Sequence, residues 1–299
     1  MSENFQIAIE IDLPIYLYKV DRAIQNRSLH IGTLNQLAED VSRHRILGID
    51  FFDGSVKGAI SLMRDGGLLV IPAAPALKDL DRNLDYRDAL LNADLAITDS
   101  AFMVLIWNRL QSKPIKRLSG LEYLRKLLLE PDVRRPGNTL WIMASPNSAK
   151  LNLAWLALQG INVPEDYIYM APLYPPPAAG VGPSDSASGT LSDPVLLERL
   201  NRLRPQNVIV TIGGGTQERL GLYLKRTLSY RPAIHCVGAA IAFLSGDQVH
   251  IPIWADRFYL GWLFRSIAEP TRYVPRYWGA RKLLTLMLRN RDHLPDLRS

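Results

Sequence analysis

Short apolar runs alternate with longer stretches of helical periodicity along most of this chain. Arg45–Phe51 (RILGIDF), Leu68–Ile71, Leu95–Ile97, Thr139–Ala144 (TLWIMA), Tyr167–Met170, Val208–Ile212 (VIVTI) and Ala233–Val237 are brief and rich in branched residues. Such runs read as strands buried on both faces. Between them, Ser55–Asp65 carries Val56, Ile60 and Met63 on one side, and Ser148–Gln159 carries Leu151, Ala154, Trp155 and Leu158. Both are helical spacings. Asp79–Asn92, Ala101–Leu110, Leu191–Leu203 and Arg219–Leu228 read as further helices, with a short one at Ala239–Leu244 closed by Gly246. The alternation predicts an α/β fold: a Rossmann-like, mostly parallel sheet with helices on both faces.

Three regions depart from this rhythm. The first 45 residues are poorly periodic, with a strand expected at Pro14–Tyr18 and a helix at Leu34–Arg45. Ala171–Thr190 is rich in proline and glycine and reads as a surface loop over a cleft. From Pro252 arginines and aromatics interleave, and Pro270 and Pro275 are expected to break helices. Trp254, Phe258, Trp262 and Arg265 fall at near-helical spacings and share a face. The chain therefore divides into a core, residues 1–249, and a C-terminal helical basic and aromatic appendage, residues 250–299. Two readings of the appendage stay open. Its aromatics pack on the sheet domain, or they lie at a membrane interface with arginine beside anionic headgroups.

Charge sharpens the second possibility. From His250 onward nine basic residues face four acidic ones, a net +5 within a chain whose total is +6. The remainder is nearly neutral, so the end of the chain is the part expected to meet an anion. Arginine mixed with tryptophan and proline matches no nucleic-acid module, and no nucleic-acid partner is expected. The opening MSENFQIAIEID is acidic and predicts no secretory signal. No stretch approaches the roughly 20 apolar residues of a membrane span. A cytoplasmic protein, peripheral to the membrane, is expected. The single cysteine, Cys236, excludes an intrachain disulfide.

Candidate chemistry concentrates at two strand ends. Leu95–Ile97 stops at Thr98-Asp99-Ser100, directly before the helix Ala101–Leu110. Open α/β sheets deliver ligand-binding side chains there. Asp99 has two compatible roles: cap of that helix, or carboxylate aimed at a ligand. Gly213-Gly214-Gly215 follows a buried strand and opens a helix, a context suited to phosphate. The dinucleotide fingerprint is incomplete, because its last glycine is Glu218, which argues against close helix–sheet packing. There is no phosphate-loop lysine motif, no nucleophile-elbow serine and no paired-histidine zinc motif. No metal or other cofactor is expected.

Taken together, ADLAITDS, KPIKRLSGLEYLRKLL, TLWIMASP, YIYMAPLY, RPQNVIVTIGGGTQE, HCVGAAIAFLSG and IPIWADRFYLGWLFRSIAEPTRYVPRYW occur in a telling order. Over roughly Ile46–Trp278 the chain resembles the WecG/TagA/CpsF glycosyltransferase family. The resemblance implies a hexosamine-type sugar, N-acetylmannosamine-like, moved from a UDP-sugar to a polyprenyl-diphosphate-linked sugar in cell-wall or exopolysaccharide synthesis. It also implies attachment to the inner leaflet through the appendage, and it is compatible with a homo-oligomer.

By the same resemblance Asp99 is the base and Arg117 lies near the donor diphosphate. Gly213, Gly214, Gly215, Gln217, Glu218 and Tyr174 fall in the substrate pocket. Arg257, Arg265 and Arg272 fall in the basic clamp. Three positions depart from the family pattern. Ile71-Pro72-Ala73 stands where the family has Thr-x-Asn, Ser100 replaces glycine, and Ala242 replaces an aspartate. They motivate an alternative: a catalytically impaired relative that binds a sugar nucleotide or an assembly partner.

Overall fold

The computed structural model describes residues 42–175, 191–248, 255 and 260–298. The strand expected at Pro14–Tyr18, most of the helix Leu34–Arg45 and the loop beyond residue 175 lie outside the described residues, as do Trp254, Arg257 and Phe258. Eight strands form one sheet: β1 (Arg43–Ile46), β2 (Ile49–Phe52), β3 (Gly67–Val70), β4 (Leu95–Ile97), β5 (Thr139–Met143), β6 (Ile168–Met170), β7 (Asn207–Val210) and β8 (Ala233–Cys236). Their order is β1-β2-β4-β3-β8-β7-β5-β6. Every pairing is parallel except β1 with β2.

The helices are α1 (Val56–Met63), α2 (Ala74–Leu77), α3 (Leu84–Leu91), α4 (Ala101–Leu110), α5 (Gly120–Leu127), α6 (Pro131–Arg134) and α7 (Pro146–Leu158). They continue with α8 (Pro194–Leu203), α9 (Thr216–Thr227), α10 (Ala242–Ser245), α11 (Gly261–Ala268), α12 (Pro270–Ala280) and α13 (Lys282–Asn290). Alternate strand residues feed two cores. Leu68, Val70, Val208 and Val210 pack with α3, α4, α8, α9 and α13 on one face. Leu69, Ile71, Ile209 and Val237 pack with α1, α5 and α7 on the other. A period of two with apolar residues at both phases is what a doubly covered sheet requires.

Three expectations are corrected. Arg45–Phe51 is an antiparallel hairpin rather than one strand, turning at Leu47 (φ 52°) and Gly48 (φ 77°). The unusual leucine geometry is held from outside: Leu47 N–H donates to Arg291 O at 2.8 Å and Gly48 N–H to Asp292 O at 2.9 Å. Arg43–Arg45, expected to finish a helix, are strand instead. Pro270 does begin a helix, α12, but Pro275 lies inside that helix without breaking it.

The last segment returns to the core. Leu283, Leu286 and Met287 of α13 belong to the same apolar cluster as the sheet. Beyond it, Arg298 pairs with the buried Asp81 at 2.8 Å. In contrast, Trp262, Ile267, Val274 and Trp278 on α11 and α12 are half or more exposed.

The two halves of the sheet meet where β3 lies beside β8. Strand order reverses there, so a crevice opens beyond the carboxyl ends of β4, β3, β8 and β7. That crevice positions the site.

Candidate functional site

Asp99 stands at the carboxyl end of β4, and its neighbour does the capping. Ser100 Oγ accepts Met103 N–H at 3.2 Å and closes the first turn of α4. The Asp99 carboxylate turns the other way, toward α5. Its Oδ1 accepts Gly120 N–H at 2.9 Å and a proton of Arg117 Nη2 at 3.2 Å. Arg117 Nε also donates to the Asp99 carbonyl at 2.7 Å. Of the two roles left open by sequence, helix α4 does not use this carboxylate.

Thr98 explains why Arg117 arrives there. Its Oγ1 donates to Lys116 O at 2.7 Å and accepts Leu118 N–H at 3.1 Å, stitching residues 116–118 alongside the end of β4. Ser119 then caps α5, so Asp99 lies at the helix N-terminus, where negative charge is favoured. The Asp99 side chain is 31% exposed and that of Arg117 13%. The carboxylate is thus held on one side and open on the other. Thr98 and Gly120 stand inside the quoted motifs, but the sequence assigns neither a role. The hydroxyl directly before the acid and the glycine three residues after the basic pair carry too little pattern alone.

On the β3 side the wall is apolar. Ile71 is buried, and a Cβ at Gly120 would stand 3.2 Å from Ile71 Cγ2. Ala73 precedes α2 without a side-chain cap. Ala242, also buried, opens α10.

Beyond β8 and β7 lies the glycine loop. Gly213 and Gly214 are exposed, and Gly215 takes φ 91° at the head of α9. Glu218, almost fully buried, reaches back so that Oε2 accepts Gly215 N–H at 2.6 Å. Its Oε1 accepts Gln217 Nε2 at 3.1 Å. Burial pushes its carboxyl up to about 7, against the lowering effect of these hydrogen bonds. Glu218 therefore occupies one amide that the sequence context offered to phosphate. The fingerprint argument also needs correction. Close helix–sheet packing is present, supplied one turn later by Gly221, where a Cβ would lie 2.5 Å from Leu68 Cδ1 and 2.9 Å from Cys236 Sγ.

A cavity of about 310 Å³ opens beside this loop. Gly214, Gly215, Thr216 and Arg219 form one wall, Lys78 and Tyr86 another, and Pro275 and Gly279 of α12 close it. Appendage and core thus share a cavity.

The remaining predicted residues are placed apart. Tyr174 Oη donates to Asp193 Oδ2 at 2.6 Å, beside Tyr169, which donates to the same carboxylate. Asp193 in turn caps α8. Burial and Asp193 raise the Tyr174 hydroxyl well above the ordinary tyrosine value. Its position anchors the start of the proline-rich segment to α8 and does not bring it to Asp99. Arg265 lies 4.3 Å over the Phe243 ring and donates to Tyr277 Oη at 3.1 Å. Arg272 falls within α12. Among the described residues no cluster of three or more His, Cys, Asp or Glu is arranged to hold a metal ion. Nor is any described helix long and apolar enough to cross a membrane.

Comparison with known proteins completes the picture. The family model described as "Glycosyl transferase WecG/TagA/CpsF family" matches residues 44–295, most of the chain and all of the crevice. No curated protein matches it.

Proposed function

The chain belongs to the WecG/TagA/CpsF glycosyltransferase family, and from that premise we propose an inverting sugar transfer with Asp99 as general base. The family is one of cell-wall or polysaccharide synthesis, with a nucleotide-sugar donor and a lipid-linked acceptor. In our reading the donor is a UDP-sugar of the N-acetylmannosamine type and the acceptor a sugar on polyprenyl diphosphate.

One observation carries the assignment. A carboxylate at the switch-point crevice is oriented by Arg117 and Gly120, yet it remains partly open. A base needs that combination of fixed direction and access to the attacking hydroxyl. Asp99 takes the proton of the acceptor hydroxyl as its oxygen bonds to the anomeric carbon. The bond from that carbon to the diphosphate breaks, and UDP leaves. Arg117, the cavity wall at Gly214 and Gly215, and the exposed Gly213 before it are our candidates for the diphosphate, where charge grows as the bond breaks. Gln217 and Glu218 belong to the nucleotide side. Arg257, Arg265 and Arg272 are assigned to the lipid diphosphate, with residues 250–299 as the acceptor- and membrane-facing part of the chain. The exposed Trp262, Ile267, Val274 and Trp278, with Arg281 over the Trp278 ring at 4.1 Å, support contact with an anionic leaflet.

The test is UDP release from UDP-sugars in the presence of a short polyprenyl-diphosphate acceptor. Wild type should release UDP, and Asp99→Asn should not. Equal inertness of the two proteins, with UDP still bound, would leave the alternative of a binding protein. The apolar Ile71 beside Gly120 and the apolar Ala242 favour that second reading. Membrane contact is tested separately. Replacing Trp262 and Trp278 by alanine should lower cosedimentation with vesicles containing anionic lipid, whereas unchanged partitioning would remove the role. Deleting the appendage would be a poor test, because α13 is part of the core.

A further inference from the structure

The cavity beside the glycine loop contains three side chains that the proposed transfer leaves unused: Lys78, Tyr86 and Arg219. Arg219 lies one turn into α9, where Nη1 donates to Pro175 O at 3.1 Å and Nη2 stands 3.4 Å from Asp85 Oδ2. Its side chain is 2% exposed, against 40% for Asp85. Lys78 pairs with Asp79, which also lines the cavity, and again the base is the more buried partner, 23% against 39%. Water screens the outer acids more than the inner bases. The cavity is therefore left with positive character, to which the N-terminus of α9 adds.

Tyr86 supplies the second observation. It is 1% exposed, and its Oη has no hydrogen-bond partner among the described residues. Burial first, then the charges of Glu218 and Asp79, push its ionisation well above the ordinary tyrosine value, so it stays a neutral phenol that can donate. Those two carboxylates also locate the hydroxyl. Asp79 lines the cavity on one side, and Glu218 is bonded to Gly215 N–H on the other. Opposite Tyr86 the loop is bare: a Cβ at Gly214 or Gly215 would meet nothing within 4 Å. A buried donor without an acceptor is costly, and an oxyanion in the cavity would remove that cost.

We propose that this cavity binds a diphosphate ester, with Tyr86 Oη and Lys78 Nζ donating to its phosphoryl oxygens and the charge of Arg219 beside them. The inference rests on the reading of Gly214 and Gly215 as a diphosphate wall and adds the side chains that hold the group. A volume of about 310 Å³ is that of a small-molecule pocket. Diphosphate esters come from two sources here, the nucleotide of the donor and the lipid of the acceptor. Pro275 and Gly279 bring the appendage to the same cavity, so both are within its reach.

Equilibrium binding of UDP and of farnesyl diphosphate tests the site without turnover. Wild type should bind at least one of them. Tyr86→Phe should weaken that ligand about tenfold or more, the worth of a hydrogen bond to a charged group. Without ligand, Tyr86→Phe should be at least as stable as wild type in urea, because the lost hydroxyl had no partner. Lys78→Met should weaken the same ligand and flatten its dependence on ionic strength. Losses confined to UDP assign the cavity to the donor, losses confined to farnesyl diphosphate assign it to the acceptor, and losses for both show a shared site. Wild type that binds neither, or variants that bind both as tightly as wild type, would overturn the proposal. So would a Tyr86→Phe protein that fails to fold, since its hydroxyl would then have a structural partner. UDP release that depends on Asp99 but not on Tyr86 or Lys78 would sink this cavity and keep the transferase. Selective diphosphate binding without UDP release would do the reverse.

Discussion

Two carboxylates flank the crevice, and the protein treats them in opposite ways. Asp99 is about a third exposed, and the partners described for it, Arg117 and Gly120, meet it from one side. Glu218 is 1% exposed and has both oxygens occupied by its own helix turn. The first is oriented toward chemistry, the second toward architecture. Acidity alone would not separate them. What separates them is whether an oxygen still has access to something that is not protein.

The sharpest way to break that contrast is to neutralise each without changing its shape. Asp99→Asn should reduce turnover by roughly 10²–10⁴-fold, the ordinary worth of a positioned base. The amide oxygen can still accept Gly120 N–H, so stability by urea unfolding should move by less than about 1 kcal/mol, as for a partly exposed ion pair. A large stability loss with little kinetic effect would reassign Asp99 to architecture.

Glu218→Gln should show itself in stability against pH. The folded-state value of about 7 lies above the ordinary 4.5, so the native protein keeps a proton that the unfolded chain has released. Native Glu218 therefore costs stability as pH rises from about 4.5 to about 7, with no further change above. The maximum size is about 3 kcal/mol. Unfolding free energies of wild type and Glu218→Gln should diverge across that window, the wild type falling relative to the variant. Parallel curves would show that Glu218 is not the buried acid described.

Next in size is Gly221→Ala. Alanine favours a helix by up to about 1 kcal/mol, but its methyl would collide with Leu68 and Cys236. Overpacking of this kind costs about 1–3 kcal/mol, so net destabilisation should appear in the urea midpoint. A neutral result would mean α9 can lift from the sheet, and with it the turn that holds Glu218.

These residues also mark how far the sequence could be read. Strands β3, β4, β5, β7 and β8 were legible because apolar residues at both phases leave little alternative to a doubly covered sheet. The β1–β2 hairpin was not, since its turn is held by backbone contacts from residues 291 and 292 at the other end of the chain. Helix α5 was quoted within a family motif but not read as an element. Asp99, Gln217 and Glu218 were found as motif positions. The orientation of Asp99 depends on Arg117 and Gly120, and that of Gln217 and Glu218 on each other and on the Gly215 amide, contacts that motif spacing alone does not give. Gly221 is not legible from the fingerprint, whose last glycine falls at position 218, because the close contact comes one turn later. Pro275 was expected to break a helix that tertiary packing instead carries through.

The smallest predicted effect decides the oldest ambiguity in the site. Asp99 and Ser100 are both good caps, adjacent, and directly before α4, so the sequence allows either to close the helix. In the structure the serine is buried and its Oγ takes Met103 N–H, while the aspartate takes Gly120 N–H at the head of α5. Ser100→Ala should therefore cost about 1 kcal/mol of stability, the usual worth of an N-cap. Turnover per folded molecule should stay close to that of wild type, since the carboxylate keeps Arg117 and Gly120. If Ser100→Ala instead abolishes transfer while leaving stability intact, the cap is not a cap. The two neighbours would then have to exchange the roles assigned to them, with Asp99 closing the helix and Ser100 facing the ligand.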